Sequence, residues 1–155
     1  MNQTITRSTL AVCLVAAGRD RVLSCAHAAG QGLTIQALQP AEAGMALMQW
    51  RDAVMHQPFY LGEVPLSRAA VAISYDKRRV EGGAVVMADD AELAQALAVL
   101  DAVWAHRLPG AGDVDKLVDI GQRARACIRA ERQAMLKRTR VDFALLSETD
   151  EEDEQ

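Results

Sequence analysis

The sequence predicts an α+β fold, on three observations. Apolar residues recur at helical spacing near both ends, the period shortens to alternation between residues 33 and 87, and the turns joining the alternating runs are short. Short turns join neighbouring strands antiparallel, whereas β-α-β crossovers need longer connections. The expected architecture is two short N-terminal helices, an antiparallel β-meander and two longer C-terminal helices.

The elements follow in order. Ser8 to Ala17 and Asp20 to Ala29 read as helices, the first capped by Ser8, broken at Gly18 and ended at Gly30 and Gly32. Leu33 to Gln39 alternates imperfectly, Pro40 to Gly44 reads as a turn, and Met45 to Trp50 as a second strand. His56-Gln57-Pro58 interrupts; Phe59 to Leu61 and Arg68 to Tyr75 are then extended. Asp76 to Arg79 is a polar turn, and Val80 to Met87 a further strand with Gly82-Gly83 as an expected bulge. Ala88-Asp89-Asp90 caps a long helix with Leu93, Leu97, Leu100 and Trp104 on one face. Pro109 to Gly112 ends it, and a last helix starts at Asp113 or Asp115 and runs to about Arg140. Its apolar stripe, Leu117, Ile120, Ala124, Ile128 and Met135, is narrow.

Half of the 155 residues are apolar but only 4% are aromatic, so the core is expected to be built from Ala, Val, Leu and Met. The formal charge of −4 hides an asymmetry, because Glu148 to Gln155 carries acids and no base. A run of like charges repels itself, which predicts one domain over residues 1–146 and a disordered acidic tail over 147–155. Arg7 and the apolar run Leu10 to Ala17 mimic a secretory leader, but the run is short and a single charge precedes it. A short amphipathic helix is the better reading, and no segment is apolar for long enough to span a membrane.

Cys13, Cys25 and Cys127 are odd in number and widely spaced, which argues against a disulfide framework or zinc site and fits a reducing cytoplasm. His27, His56 and His106 are isolated from other ligand-type residues. Glu42, Asp52 and Glu63 show no spacing that pairs them for acid–base work, and no nucleophile elbow, zinc-protease or phosphate-loop motif occurs. Ser67 reads as structural. Arg68 opens an apolar strand, where a guanidinium needs a fixed partner, and Glu63 or Asp142 would serve. The last helix carries Arg123, Arg125, Arg129, Arg132, Lys137, Arg138 and Arg140 against Glu131, which suits an anionic partner or simply a solvated face.

Read in order, these residues resemble the PhnG subunit family of the bacterial carbon–phosphorus lyase system. The similarity rests on Arg7; Ala41-Glu42-Ala43-Gly44; Arg51; Phe59 through Gly62-Glu63; Ser67-Arg68 with Val71; Asp90; Asp101-Ala102-Val103; and Arg140-Val141-Asp142-Phe143. From Glu42 to Val71 the spacing fits without a gap. Asp52 to Pro58 replaces the family's glycine-rich hairpin with residues ill-suited to glycine-only angles, Asp89 replaces an Arg, and Ala144 a second Phe.

The resemblance implies a cytoplasmic subunit of the phosphonate-degrading core complex, built with PhnH-, PhnI- and PhnJ-like chains and working with a PhnL-like one. The step it supports replaces the adenine of ATP with methylphosphonate to give ribose 1-methylphosphonate 5-triphosphate. It also implies that ATP and an iron–sulfur cluster are handled by partner subunits, and that this chain holds no cofactor and organises the complex as a homodimer. Glu42, Gly44, Arg51, Gly62, Glu63, Ser67, Arg68, Arg140, Asp142 and Phe143 are then structural or interface residues, with no catalytic residue among them. The rival from another class is a free-standing protein whose basic last helix binds nucleic acid or another anion, though no aromatic residue there would stack bases. An independent enzyme fits least.

Overall fold

The computed structural model describes residues 5–138. The chain divides into two compact units, Met1–Ala124 and Arg125–Gln155. Among the described residues are four helices and a three-stranded antiparallel sheet, in the order α1 (Arg7–Ala17), α2 (Arg19–Gly30), β1 (Thr34–Arg51), β2 (Pro58–Tyr75), β3 (Arg78–Val86), α3 (Ala91–Ala105) and α4 (Ala111–Arg138). The α+β architecture expected from the periodicity is the one found.

Helix α1 buries Leu10, Cys13, Leu14 and Ala17, a core-facing stripe that accounts for its leader-like appearance. Its N-cap is Thr6 rather than the expected Ser8, with the Thr6 amide donating to Thr9 Oγ1 at 3.1 Å. Gly18, at φ +104°, makes the break to α2, as the sequence suggested.

The sheet departs from expectation in three places. First, Pro40 to Gly44 is not a turn: β1 runs straight through it. The proline removes one ladder donor, and register shifts between Ala37 and Gln39 and between Gln39 and Glu42 absorb the loss. Second, Phe59 to Leu61 and Arg68 to Tyr75 belong to one continuous strand, β2. Third, Gly82-Gly83 is not a bulge, because Val71 and Ala70 face Gly82 and Gly83 in unbroken register. Gly82 instead admits α3, since a Cβ there would stand 2.3 Å from the Ala98 carbonyl oxygen. Asp76 and Lys77, with φ of 44° and 61°, make the two-residue turn between β2 and β3.

Helix α3 is the centre of the core. Asp90 caps it by accepting from the Leu93 amide at 2.9 Å, and ten of its residues from Leu93 to Val103 are buried. Helix α4 begins at Ala111, earlier than expected, and packs through Val114, Leu117, Val118 and Gly121. Gly121 lies against α1 so closely that a Cβ would overlap the Cys13 carbonyl. In the second unit, Ile128, Met135 and Leu136 are exposed.

Candidate functional site

Strand β3 pairs with β2 only over Ser67 to Tyr75. The remainder of β2, from Pro58 to Leu66, pairs with β1 from Gly44 to Arg51 and with no other strand among the described residues. The outcome is a two-stranded ribbon extending beyond the body of the sheet. Met45, Leu47, Trp50, Phe59, Tyr60 and Leu61 are all exposed on it, Leu47 by 63% and Tyr60 by 62%. Val54 and Met55 are exposed at its tip. A lone two-stranded ribbon is marginal in water, and this one presents large apolar side chains that a monomer gains nothing by displaying.

The tip shows how the chain manages without glycines. His56 takes φ +55°, a left-handed angle open to histidine and not one that requires glycine. The turn is held by the Met55 amide donating to Asp52 Oδ2 and by the Asp52 amide donating to the Gln57 carbonyl at 3.0 Å. Gly62, at φ +145°, serves a bulge: Gln49 faces Tyr60 and Met48 faces Gly62, which leaves Leu61 unpaired.

Arg68 has a partner, but neither of those expected. It donates through Nε to Glu42 Oε1 at 2.5 Å from the position directly across β1 and β2. Glu63 faces Leu47 instead, and Asp142 lies outside the described residues, as do Arg140 and Phe143. The Arg68 hydrogen bond, helped by one from Gln39, holds the Glu42 carboxyl below the usual carboxylate range. Both side chains are half exposed, so Arg68 is not the buried guanidinium that the apolar strand suggested. Gly44 faces open space, and Arg51 sits opposite Pro58 at the end of the ladder.

Ser67 is the pivot between ribbon and body. Fully buried, its hydroxyl donates to the Ala88 carbonyl at 2.7 Å and accepts from the Asp90 amide at 2.9 Å. One hydroxyl thereby ties β2 to the start of α3 and satisfies two backbone groups. Arg19 reaches the same place, donating to Asp90 and Glu92 at 2.6 Å each.

Sequence reasoning noted Arg7 and Asp101 separately and did not pair them. They form a two-bonded ion pair, Nε to Oδ1 at 2.8 Å and Nη2 to Oδ2 at 2.7 Å, across 94 residues. Asp101 is buried within the apolar run of α3, and a carboxylate in such a run demands a cation; that signal was legible. The bond to Asp101 raises the Arg7 pKa above its already high ordinary value.

Nothing in the described residues resembles an activated nucleophile. Burial pushes the Cys25 thiol up, and a hydrogen bond to Glu131 does the same for Cys127. A groove of about 490 Å³ beside Cys25, lined by Arg21, Asp113, Lys116 and Leu117, carries no nucleophile–base pair. Among the described residues no three His, Cys, Asp or Glu side chains gather as metal ligands, and no helix is long and apolar enough to cross a membrane. Arg129, Arg132, Lys137 and Arg138 are exposed on α4 in the second unit, with no ion pair among the described residues.

A family model described as phosphonate metabolism protein PhnG matches residues 5–147. No curated protein matches the chain.

Proposed function

The chain belongs to the PhnG family of phosphonate metabolism proteins, and from that premise we propose that it acts as a docking subunit of a multi-chain phosphonate-degrading complex. Its partners are PhnH-, PhnI- and PhnJ-like subunits, with a PhnL-like one joining for the first step, and a second copy of itself completes the organiser. The reaction it supports exchanges the adenine of ATP for methylphosphonate. ATP and the iron–sulfur cluster reside on those partners, in the cytoplasm.

One observation carries this reading: the ribbon of residues 44–66, apolar and exposed. Obligate interfaces are large and apolar, and a surface of that character is stable only when covered. Arg51, Gly62 and Glu63, which carry part of the family resemblance, lie on this ribbon, which supports reading them as structural or interface residues.

The test is co-purification. A tagged copy expressed with PhnH-, PhnI- and PhnJ-like chains from the same source should retain them through a high-salt wash, because apolar burial is insensitive to screening. Emergence of the tagged chain alone at low salt, with the partners soluble, overturns the reading. The basic face of α4 supports a second reading, anion or nucleic-acid binding, which would fall steeply with salt.

A further inference from the structure

Two stretches of the second unit carry opposite charge. Along α4, Arg125, Arg129 and Arg132 recur at i, i+4 and i+7, which puts them in one row on the helix surface. Ile128, Met135 and Leu136 stand exposed beside that row. From residue 125 to 138 the helix has a single acid, Glu131. It comes six residues after Arg125 and so lies off the row, where it accepts from the Cys127 thiol at 3.5 Å. Like charges three and four residues apart on a helix repel, so this face gains from an anionic cover.

The sequence supplies one. Residues 148–154 read Glu-Thr-Asp-Glu-Glu-Asp-Glu, with six acids and no base. We propose that this stretch lies along the row of Arg125, Arg129 and Arg132 in its own chain and there competes with any external anion. The inference deepens the reading of α4 as an anion-binding face, rests on it, and gives it a regulator.

Three arguments name the chain's own acids as the occupant. The first is order. Passing back along α4 from Arg138, a segment meets Leu136 and Met135 and then Arg132, Arg129 and Arg125. Leaving α4, the chain runs through Phe143, Leu145 and Leu146 and then the acids. A reversal of direction thus sets apolar against apolar and acid against arginine in a single register. The second is reach: Glu148 follows Arg138 by ten residues, up to about 33 Å of extended chain. The helix from Arg138 back to Arg125 is only about 20 Å long. The third is tethering, because a linker of this length holds the acids at an effective concentration of about millimolar, ahead of a free anion of equal affinity.

The experiment uses the full chain and a glutamate-specific endoproteinase, with the peptides released from residues 148–155 followed by mass spectrometry. Arg129→Ala with Arg132→Ala should speed their release about fivefold at low salt and leave the circular dichroism spectrum unchanged, since both side chains are exposed. Strong salt should bring the two rates together, and about tenfold dilution should not alter the protection, as a contact within one chain requires. Deleting Glu148 to Gln155, or replacing its six acids by their amides, should tighten the binding of inorganic tripolyphosphate about tenfold at low salt, read by calorimetry. Equal cleavage of wild type and the double variant overturns the proposal, as does a measurable but equal tripolyphosphate affinity of the full and shortened chains. Protection lost on dilution also overturns it, assigning the contact to a pair of chains. Failure of both forms to bind tripolyphosphate ends the anion-binding reading alone, and the cleavage rates then decide the contact.

Discussion

The two halves of β2 belong to one strand and one ladder, yet they have opposite fates. From Ser67 to Ile73 the inward-facing side chains are buried, whereas Phe59, Tyr60 and Leu61 stand in solvent. Composition does not explain this, because Phe-Tyr-Leu is at least as apolar as Ala-Ala-Val-Ala-Ile. The difference is what lies alongside: from Ser67 onward β2 is flanked by β3, whose last residue Val86 faces Ser67, and Ser67 is bonded to the cap of α3. Burial is conferred by neighbours, and the half with no third strand beside it among the described residues is the half that we propose a partner covers.

That contrast is most easily broken at the contacts that build the body. Gly82→Val and Gly121→Val drive a side chain into the backbone of Ala98 and Cys13, and each should cost about 3 kcal/mol or more, read by urea denaturation. Near-normal stability in either would mean that the helices do not approach so closely. Ser67→Ala, at the boundary itself, leaves the Asp90 amide without its acceptor and should cost about 1–3 kcal/mol.

The ribbon should respond in the opposite sense. Trp50→Ala and Tyr60→Ala remove side chains that are already in water, so stability should stay within about 0.5 kcal/mol of wild type while partner capture falls. A loss as large as that of Ser67→Ala would show the ribbon to be packed within its own chain. The smallest effect belongs to the Glu42–Arg68 pair. Both side chains are half exposed, so Arg68→Glu should melt close to Arg78→Glu rather than far below it. Because the Glu42 carboxyl titrates below its ordinary range, the pair's contribution is present above that range and fades as pH falls through the lowered value. The melting temperatures of wild type and Glu42→Gln should therefore converge in acid, and a gap that widens there would reverse the assignment.

What the sequence disclosed, it disclosed through local signals. Helical spacing placed α3, Asp90 its cap and Gly18 the first break, because each depends on residues within a turn or two. Pro40 misled, since a proline at an edge strand costs one bond and the strand can continue past it. Gly82 misled for a related reason: the backbone it accommodates belongs to a helix that closes over it from later in the chain. The partner of Arg68 was sought nearby in sequence or at the C-terminus, whereas strand register chose Glu42. The ribbon was invisible as a ribbon, because alternation marks a strand and says nothing of whether a third strand lies beside it.

The contact of Gly121 with Cys13 and the bonds of Arg7 to Asp101 also bear on the order in which the chain assembles. The strands meet their immediate successors in sequence, so the meander closes only short loops before its ladder begins to form. Helix α1 meets its partners across 94 residues in the case of Arg7 and Asp101, so these contacts close a long loop and are expected to form late, after the barrier is crossed. Contacts absent from the rate-limiting ensemble act on escape from the native state rather than on arrival. Substitutions at Arg7 or Asp101 are therefore expected to appear mainly as faster unfolding, with refolding rates little changed.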